Sequence, residues 1–168
     1  MNFQKLLFNR ENALALIALG MLGLVLSAFV LEYGFDAKPC QMCWWQRYVH
    51  WAIGAIAFVG WLLRHKIKPL FSLSALYFLS LVGAVISLWQ MLVQRKILPA
   101  PEGCGAADVE AAKSAAALLA NLKGGVVDVM PPCDQIDFTI LTLSLADWNF
   151  LIMSCLAIYI TIVLRRIL

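Results

Sequence analysis

Cys40 and Cys43 stand at C-x-x-C spacing in the run Pro39-Cys40-Gln41-Met42-Cys43-Trp44-Trp45-Gln46-Arg47-Tyr48. Thiols at that spacing close a small, reducible disulfide or share a metal. With helix from residue 43 onward, Arg47 falls on the face of Cys43, one turn deeper. A guanidinium and a helix N-terminus both favour a thiolate, and Cys43 is expected to have both. Arg47 also has a plainer reading, a side chain reaching to lipid headgroups. A second pair, Cys104 and Cys133, has 28 residues between its members. Gly103, Gly105, Pro99, Pro101, Pro131 and Pro132 crowd these two thiols. Such residues favour turns and oppose continuous helix, which predicts both sulfurs on exposed, mobile backbone.

A close pair and a distant pair support two readings. In one, two structural disulfides staple the loops. In the other, two exchangeable disulfides form a relay. A disulfide across one turn gains little from loop closure, and exchange passes through mixed disulfides that a long loop can present to a partner. Zinc is a weaker reading, because a structural site usually draws on two close-spaced pairs and only one is close here. His50 lies two turns into an apolar segment and His65 at the far end of it, so neither completes such a site. Cys155 sits within the last apolar segment and reads as a small packing residue. Trp44 follows Cys43, so there is no haem-attachment motif, and no dinucleotide fingerprint appears. A relay at membrane-interface depth calls for a lipid-soluble acceptor, and a quinone takes two electrons, matching one dithiol. Trp44, Trp45, Tyr48 and Trp51 are candidates to line a flat ring, or to pack at the interface.

The elements that must position these groups are apolar. The chain has 168 residues, 62% hydrophobic and 14% charged, with mean hydropathy +0.83. An ordinary soluble domain carries about 25% charged residues. Four segments approach the roughly 20 residues that cross a bilayer as helix: Ala13 to Leu31, Trp44 to Leu63, Leu70 to Val93 and Trp148 to Leu164. Helices satisfy their own backbone hydrogen bonds, so one small four-helix membrane domain over residues 1–168 is the expected fold. The first segment is too long for a signal-peptide core and reads as a retained span. Tyr33, Trp44, Trp45, Trp61 and Trp148 suit an interfacial belt. The N-terminal tail, the link at Arg64, Lys66 and Lys68, and the C-terminus together hold seven positive charges against one negative. The segment from Arg95 to Asp147 holds four positives and seven negatives. The positive-inside rule then places both termini and the short link in the cytoplasm, with both cysteine pairs opposite. Within that long loop, Asp108 to Leu122 is alanine-rich and helix-prone. Val126, Val127, Val129 and Met130 are candidates to touch headgroups. Phe138 to Ala146 is too short to cross and is expected to dip into the interface and return. A channel has little support, since Arg47 is the only charge in the four segments.

The combination resembles the DsbB/BdbC family of membrane thiol–quinone oxidoreductases. It rests on four spans, on C-x-x-C-x-x-x-R at Cys40, Cys43 and Arg47, and on Cys104 and Cys133 in the third-to-fourth loop. A DsbA–DsbB–quinone system keeps the bacterial periplasm oxidising. The resemblance covers essentially the whole chain. It implies an all-α, integral membrane four-helix bundle in the bacterial inner membrane, with a long periplasmic loop. It implies that Cys104 and Cys133 oxidise a DsbA-like thioredoxin-fold partner, with Cys104 as the point of attack. It assigns Cys40 and Cys43 to reoxidising that pair, Cys43 to meeting a quinone (ubiquinone or menaquinone), and Arg47 to the quinone site. No nucleic-acid partner is expected. Two departures stand out. Gln46 replaces a glutamate that some members carry, and Gln94-Arg95-Lys96 occupies the region where some have a histidine. A vitamin K epoxide reductase-like protein is the other enzyme reading, although its C-x-x-C sits late in the chain. A non-enzymatic membrane protein with structural disulfides is the third.

Overall fold

A computed structural model of the protein describes residues 10–123, 129–136 and 138–167. Among the described residues the regular structure is helical apart from one small hairpin. The described elements are α1 (Arg10–Phe35), α2 (Gln41–Leu62), α3 (Pro69–Gln94), α4 (Ala106–Lys123), β1 (Thr139–Ile140), β2 (Leu143–Ser144) and α5 (Leu145–Ile167). Among the described residues, three helices are long and apolar enough to cross a membrane: Asn12–Phe35, Leu70–Gln94 and Leu145–Arg166. The 22-residue α2 is nearly as long but buries Gln46, Arg47 and His50 along its first half. Helices α1, α3 and α5 run beyond both ends of the apolar segments that announce them, and α2 begins before its own. Backbone hydrogen bonding continues past the last apolar side chain, so α1 ends at Phe35 rather than Leu31 and takes in Glu32.

The four long helices pack in chain order. Helix α1 lies against α2, α2 against α3, and α3 against α5, while α5 touches α1 only briefly. Leu14, Ile17, Met21, Ile53, Leu73, Leu76, Met153 and Ile160 form the shared core. Outward faces are also apolar: Leu19, Leu26 and Val30 of α1, Phe78 and Val85 of α3, and Ile158 of α5 are exposed. A continuous apolar outer face suits lipid as the surrounding solvent. Cys155 lies on this outer face, not in the packing interior.

The helix between the loop cysteines forms as its alanine content predicts, with only Val109 and Ala116 of its described residues buried. Val126 and Val127 lie outside the described residues, whereas Met130 is exposed. The 138–146 run turns back on itself as a hairpin, with Thr139 opposite Ser144 and Ile140 opposite Leu143. Leu141 and Thr142 at its tip both have positive φ, 51° and 69°. That is the two-residue turn that matches strand twist. Ser144 then caps α5: its hydroxyl accepts the Asp147 N–H at 3.2 Å, and Asp147 Oδ2 accepts the Ser144 N–H at 3.0 Å. Arg95 at the end of α3 donates to Asp147 Oδ1 at 2.9 Å, tying α3 to α5.

Gly83 sits at a tight three-helix junction. A Cβ there would lie 3.0 Å from Met153 Sδ on α5 and 3.2 Å from Val49 Cγ1 on α2. A Cβ at Gly20 of α1 would meet nothing within 4 Å. Gly83→Leu should therefore cost about 1–3 kcal/mol by overpacking, read as a lower Tm in detergent, whereas Gly20→Leu should leave Tm unchanged. Equal behaviour of the two variants would contradict this packing.

Candidate functional site

The C-x-x-C pair forms the N-terminus of α2. Cys40 is the N-cap residue, with extended backbone, and its sulfur accepts the Cys43 N–H at 3.3 Å. The two sulfurs are 2.6 Å apart. Closing a disulfide at about 2.05 Å needs only a small approach. Cys43 and Arg47 share one face, as the spacing predicts, and both line the same cavity.

The loop pair is placed differently from expectation. Cys104 and Cys133 are 2% and 1% exposed, so the prediction of exposed thiols is wrong. The glycines and prolines do make turns, but the turns fold inward. Gly103 takes φ +79°, Cys104 N–H donates to Pro101 O at 2.9 Å, and Cys133 N–H donates to Cys104 O at 2.8 Å. These bonds seat both sulfurs on the start of α2. Cys40, Met42, Cys104 and Cys133 make one buried cluster, covered by Cys43, Trp45 and Ala100. Lys96 pairs with Asp134 at 2.6 Å and pins the residue next to Cys133. Cys40 touches Cys43 directly, and the Cys133 thiol interacts electrostatically with Cys104 on one side and Cys40 on the other. The four sulfurs thus stand in a row.

The row is electrostatically graded. The Cys133 thiol is lowered to about 6, first by the hydrogen bond from Cys40 and also by backbone N–H groups of Met42 and Gln41. Those amides are the free donors at the start of α2. The Cys104 thiol is pushed up to about 12, chiefly by burial and then by its bond to Cys133. Cys40 is raised because it shares its proton with Cys133 and then with Cys43. Negative charge therefore collects on Cys133 within the loop pair. The sequence reading gave the helix-terminal amides to Cys43; the fold gives those of Gln41 and Met42 to Cys133.

A cavity of about 690 Å³ opens where α1 and α5 fail to pack, closed at one side by the hairpin. Aliphatic residues of α1 form one wall. Cys43, Gln46, Arg47 and His50 of α2 face it, with Trp148 and Asn149 of α5. Trp148 Nε1 donates to Ile140 O at 3.0 Å and so holds the hairpin in place. Arg47 is not a free cation. It donates to Glu32 Oε2 at 2.5 Å and to Ala28 O at 3.4 Å, with its guanidinium between the rings of Phe29 and Trp44. His50 Nδ1 donates to Gln46 O at 2.7 Å, and Asn149 Nδ2 donates to Ser87 at 2.8 Å. Apolar walls with a few fixed polar groups fit a flat ring that carries carbonyl oxygens. Trp44, Trp45, Tyr48 and Trp51 do not line the cavity: Trp44 stacks on Arg47, Trp45 covers the sulfurs, and Tyr48 and Trp51 point outward.

Sequence reasoning missed Glu32, Gln90 and Asn149. Glu32 stands one residue past the first apolar segment, and Gln90 and Asn149 are lone amides inside apolar runs, which was the available signal. Gln90 of α3 donates toward both Cys40 and Cys43. Arg95 and Lys96 are engaged with Asp147 and Asp134.

Residues 10–163 match the family model described as disulfide bond formation protein DsbB. A disulfide bond formation protein B of Dechloromonas aromatica is 28% identical over 152 residues, covering 90% of each chain. One from Alkalilimnicola ehrlichii is 29% identical over 162 residues, covering 93% of this chain and 96% of its own. A probable disulfide formation protein C of Halalkalibacterium halodurans is 33% identical over 70 residues, 40% of this chain. With its paired cysteines at the head of α2 and a family match along nearly its whole length, the chain belongs to the DsbB disulfide bond formation family.

Proposed function

We propose that this chain is a four-helix thiol:quinone oxidoreductase of the bacterial inner membrane that reoxidises a DsbA-like periplasmic partner. The observation that carries the reading is the row of four sulfurs, Cys104, Cys133, Cys40 and Cys43, whose last member lines a cavity. The charge distribution supports an orientation with both termini and the α2–α3 link cytoplasmic and the sulfurs periplasmic.

In this account a partner thiolate attacks Cys104 of a Cys104–Cys133 disulfide, and Cys133 leaves with the electron pair. A thiol with a lowered pKa is the better leaving group. The partner's second thiol releases Cys104 and carries away the new disulfide. The Cys133 thiolate attacks Cys40 of a Cys40–Cys43 disulfide, expelling Cys43. Cys104 then resolves the Cys133–Cys40 bond, which restores the loop disulfide and leaves the Cys40/Cys43 dithiol. A quinone bound in the cavity supplies a two-electron, two-proton acceptor for that dithiol. Gln46, Arg47 and His50 would hold it, with Arg47 and Glu32 together a neutral pair. Trp148 and the hairpin form the apolar wall opposite α1.

Cys104→Ser should abolish oxidation of a reduced thioredoxin-fold partner, while a small dithiol still reduces the Cys40–Cys43 disulfide. Partner oxidation at the normal rate by this variant would overturn the order of the relay. The pH dependence is a second test. While Cys40 is in its disulfide it has no S–H to donate, so the Cys133 thiol is lowered by the backbone N–H groups of Met42 and Gln41, and its thiolate is lost as pH falls. Transfer from Cys133 to Cys40, followed by rapid acid quench, should have its midpoint below the ordinary thiol value of about 8.5 and fall about tenfold per unit well below that midpoint. A midpoint near 8.5, the ordinary thiol value, would contradict the assignment.

A further inference from the structure

Gln90 is 2% exposed on α3, and its amide nitrogen lies 3.4 Å from the Cys40 sulfur and 3.5 Å from the Cys43 sulfur. Its amide oxygen accepts from Gln46 Nε2 at 2.7 Å, and Gln46 is itself 8% exposed. Two facing amides must pair nitrogen with oxygen. The Gln46 nitrogen therefore fixes the Gln90 oxygen on its own side and turns the Gln90 NH₂ toward the sulfurs. That NH₂ has two hydrogens, enough for one on each sulfur. The titratable and charged groups around the pair are Cys104 and Cys133 from the loop, Arg47 and His50 from α2, Glu32 from α1, and Arg95 with Asp147 where α3 meets α5. The one cation beside Cys43 on its own helix, Arg47, is bound to Glu32.

We propose that Gln90, oriented by Gln46, is the positioning residue of the C-x-x-C pair: it holds the two sulfurs together and donates to whichever carries the charge. When the Cys133 thiolate attacks Cys40, a Cys133–Cys40 bond forms, the Cys40–Cys43 bond breaks, and the electron pair leaves on Cys43. A Gln90 N–H already faces that sulfur. When the dithiol is reoxidised, two electrons and two protons go to the quinone acceptor, the S–S bond reforms, and the same NH₂ remains against the neutral sulfurs. The proposal rests on the reading of Cys40 and Cys43 as a working redox pair. It supplies, from α3, the thiolate support that the sequence had assigned to Arg47.

The test uses reduced, full-length, quinone-free protein in detergent. The pH profile of Cys43 alkylation by iodoacetamide is read by mass spectrometry of its peptide, with the fraction of Cys40–Cys43 disulfide in glutathione buffers measured alongside. Gln90→Leu should move the alkylation midpoint up by about one pH unit, the size expected for one hydrogen bond to a charged group. Gln46→Glu is the second variant. A carboxylate accepts only, so the Gln90 NH₂ would turn to it and present its oxygen to the sulfurs. The midpoint should then rise at least as far as in Gln90→Leu, although Gln90 is intact. Unchanged midpoints in variants that elute and melt like wild type would overturn the proposal. So would a rise with Gln90→Leu and none with Gln46→Glu, because the orienting bond would then have no role. A wild-type pair that does not cycle in the glutathione buffers would instead defeat the underlying redox reading.

Discussion

Everything in the site depends on how the first turn of α2 spends its free N–H groups. A helix begins with four donors that have no partner inside it. Here the Cys40 sulfur takes the Cys43 N–H, and the N–H groups of Met42 and Gln41 favour the Cys133 thiolate. Two cysteines far apart in sequence thereby meet at one helix end. This brings the loop pair and the C-x-x-C pair into contact. It also grades them: donors gather on Cys133, while Cys104 lies one step away, buried and protonated. A row of thiols with unequal proton affinity gives disulfide exchange a direction, since attack is easiest from the thiolate and departure easiest for the more acidic sulfur.

The cavity follows from helix packing. Helix α2 presents Cys43, Gln46, Arg47 and His50 inward, and α1 and α5 stay apart on that side. Burying Arg47 is tolerable because Glu32 is there to pair with it, and because Phe29 and Trp44 cover its faces. Removing either partner would leave an uncompensated buried charge. Neutral amides do the remaining polar work: Gln46 with Gln90, and Asn149 with Ser87. The wall of the cavity is therefore nearly neutral next to a reactive sulfur, an arrangement suited to an uncharged, lipid-soluble ligand.

What could be read from the sequence was local. The long apolar runs announced α1, α3 and α5, and C-x-x-C-x-x-x-R placed Cys43 and Arg47 on one face because helical spacing alone decides that. The alanine-rich stretch announced α4. Contacts across elements were not legible. Glu32 meets Arg47 only because α1 continues past its apolar run, and Gln90 reaches the sulfurs across 50 residues of sequence. The turns around Cys104 and Cys133 were legible as turns, but composition does not say which way a turn folds, so their burial was not. Nor was the hairpin tip, because Leu141 and Thr142 carry none of the usual signs of positive φ.

The central claim is that electrons entering at Cys104 leave at Cys43 into the cavity. Its most direct measurement is quinone reduction, followed by absorbance, by purified protein supplied with a reduced thioredoxin-fold dithiol. The account predicts one quinone reduced per partner disulfide formed, loss of all turnover in Cys43→Ser, and weaker turnover in Arg47→Ala. Undiminished quinone reduction in Cys43→Ser, or no turnover in wild type with disulfides that resist mild reduction, would contradict it.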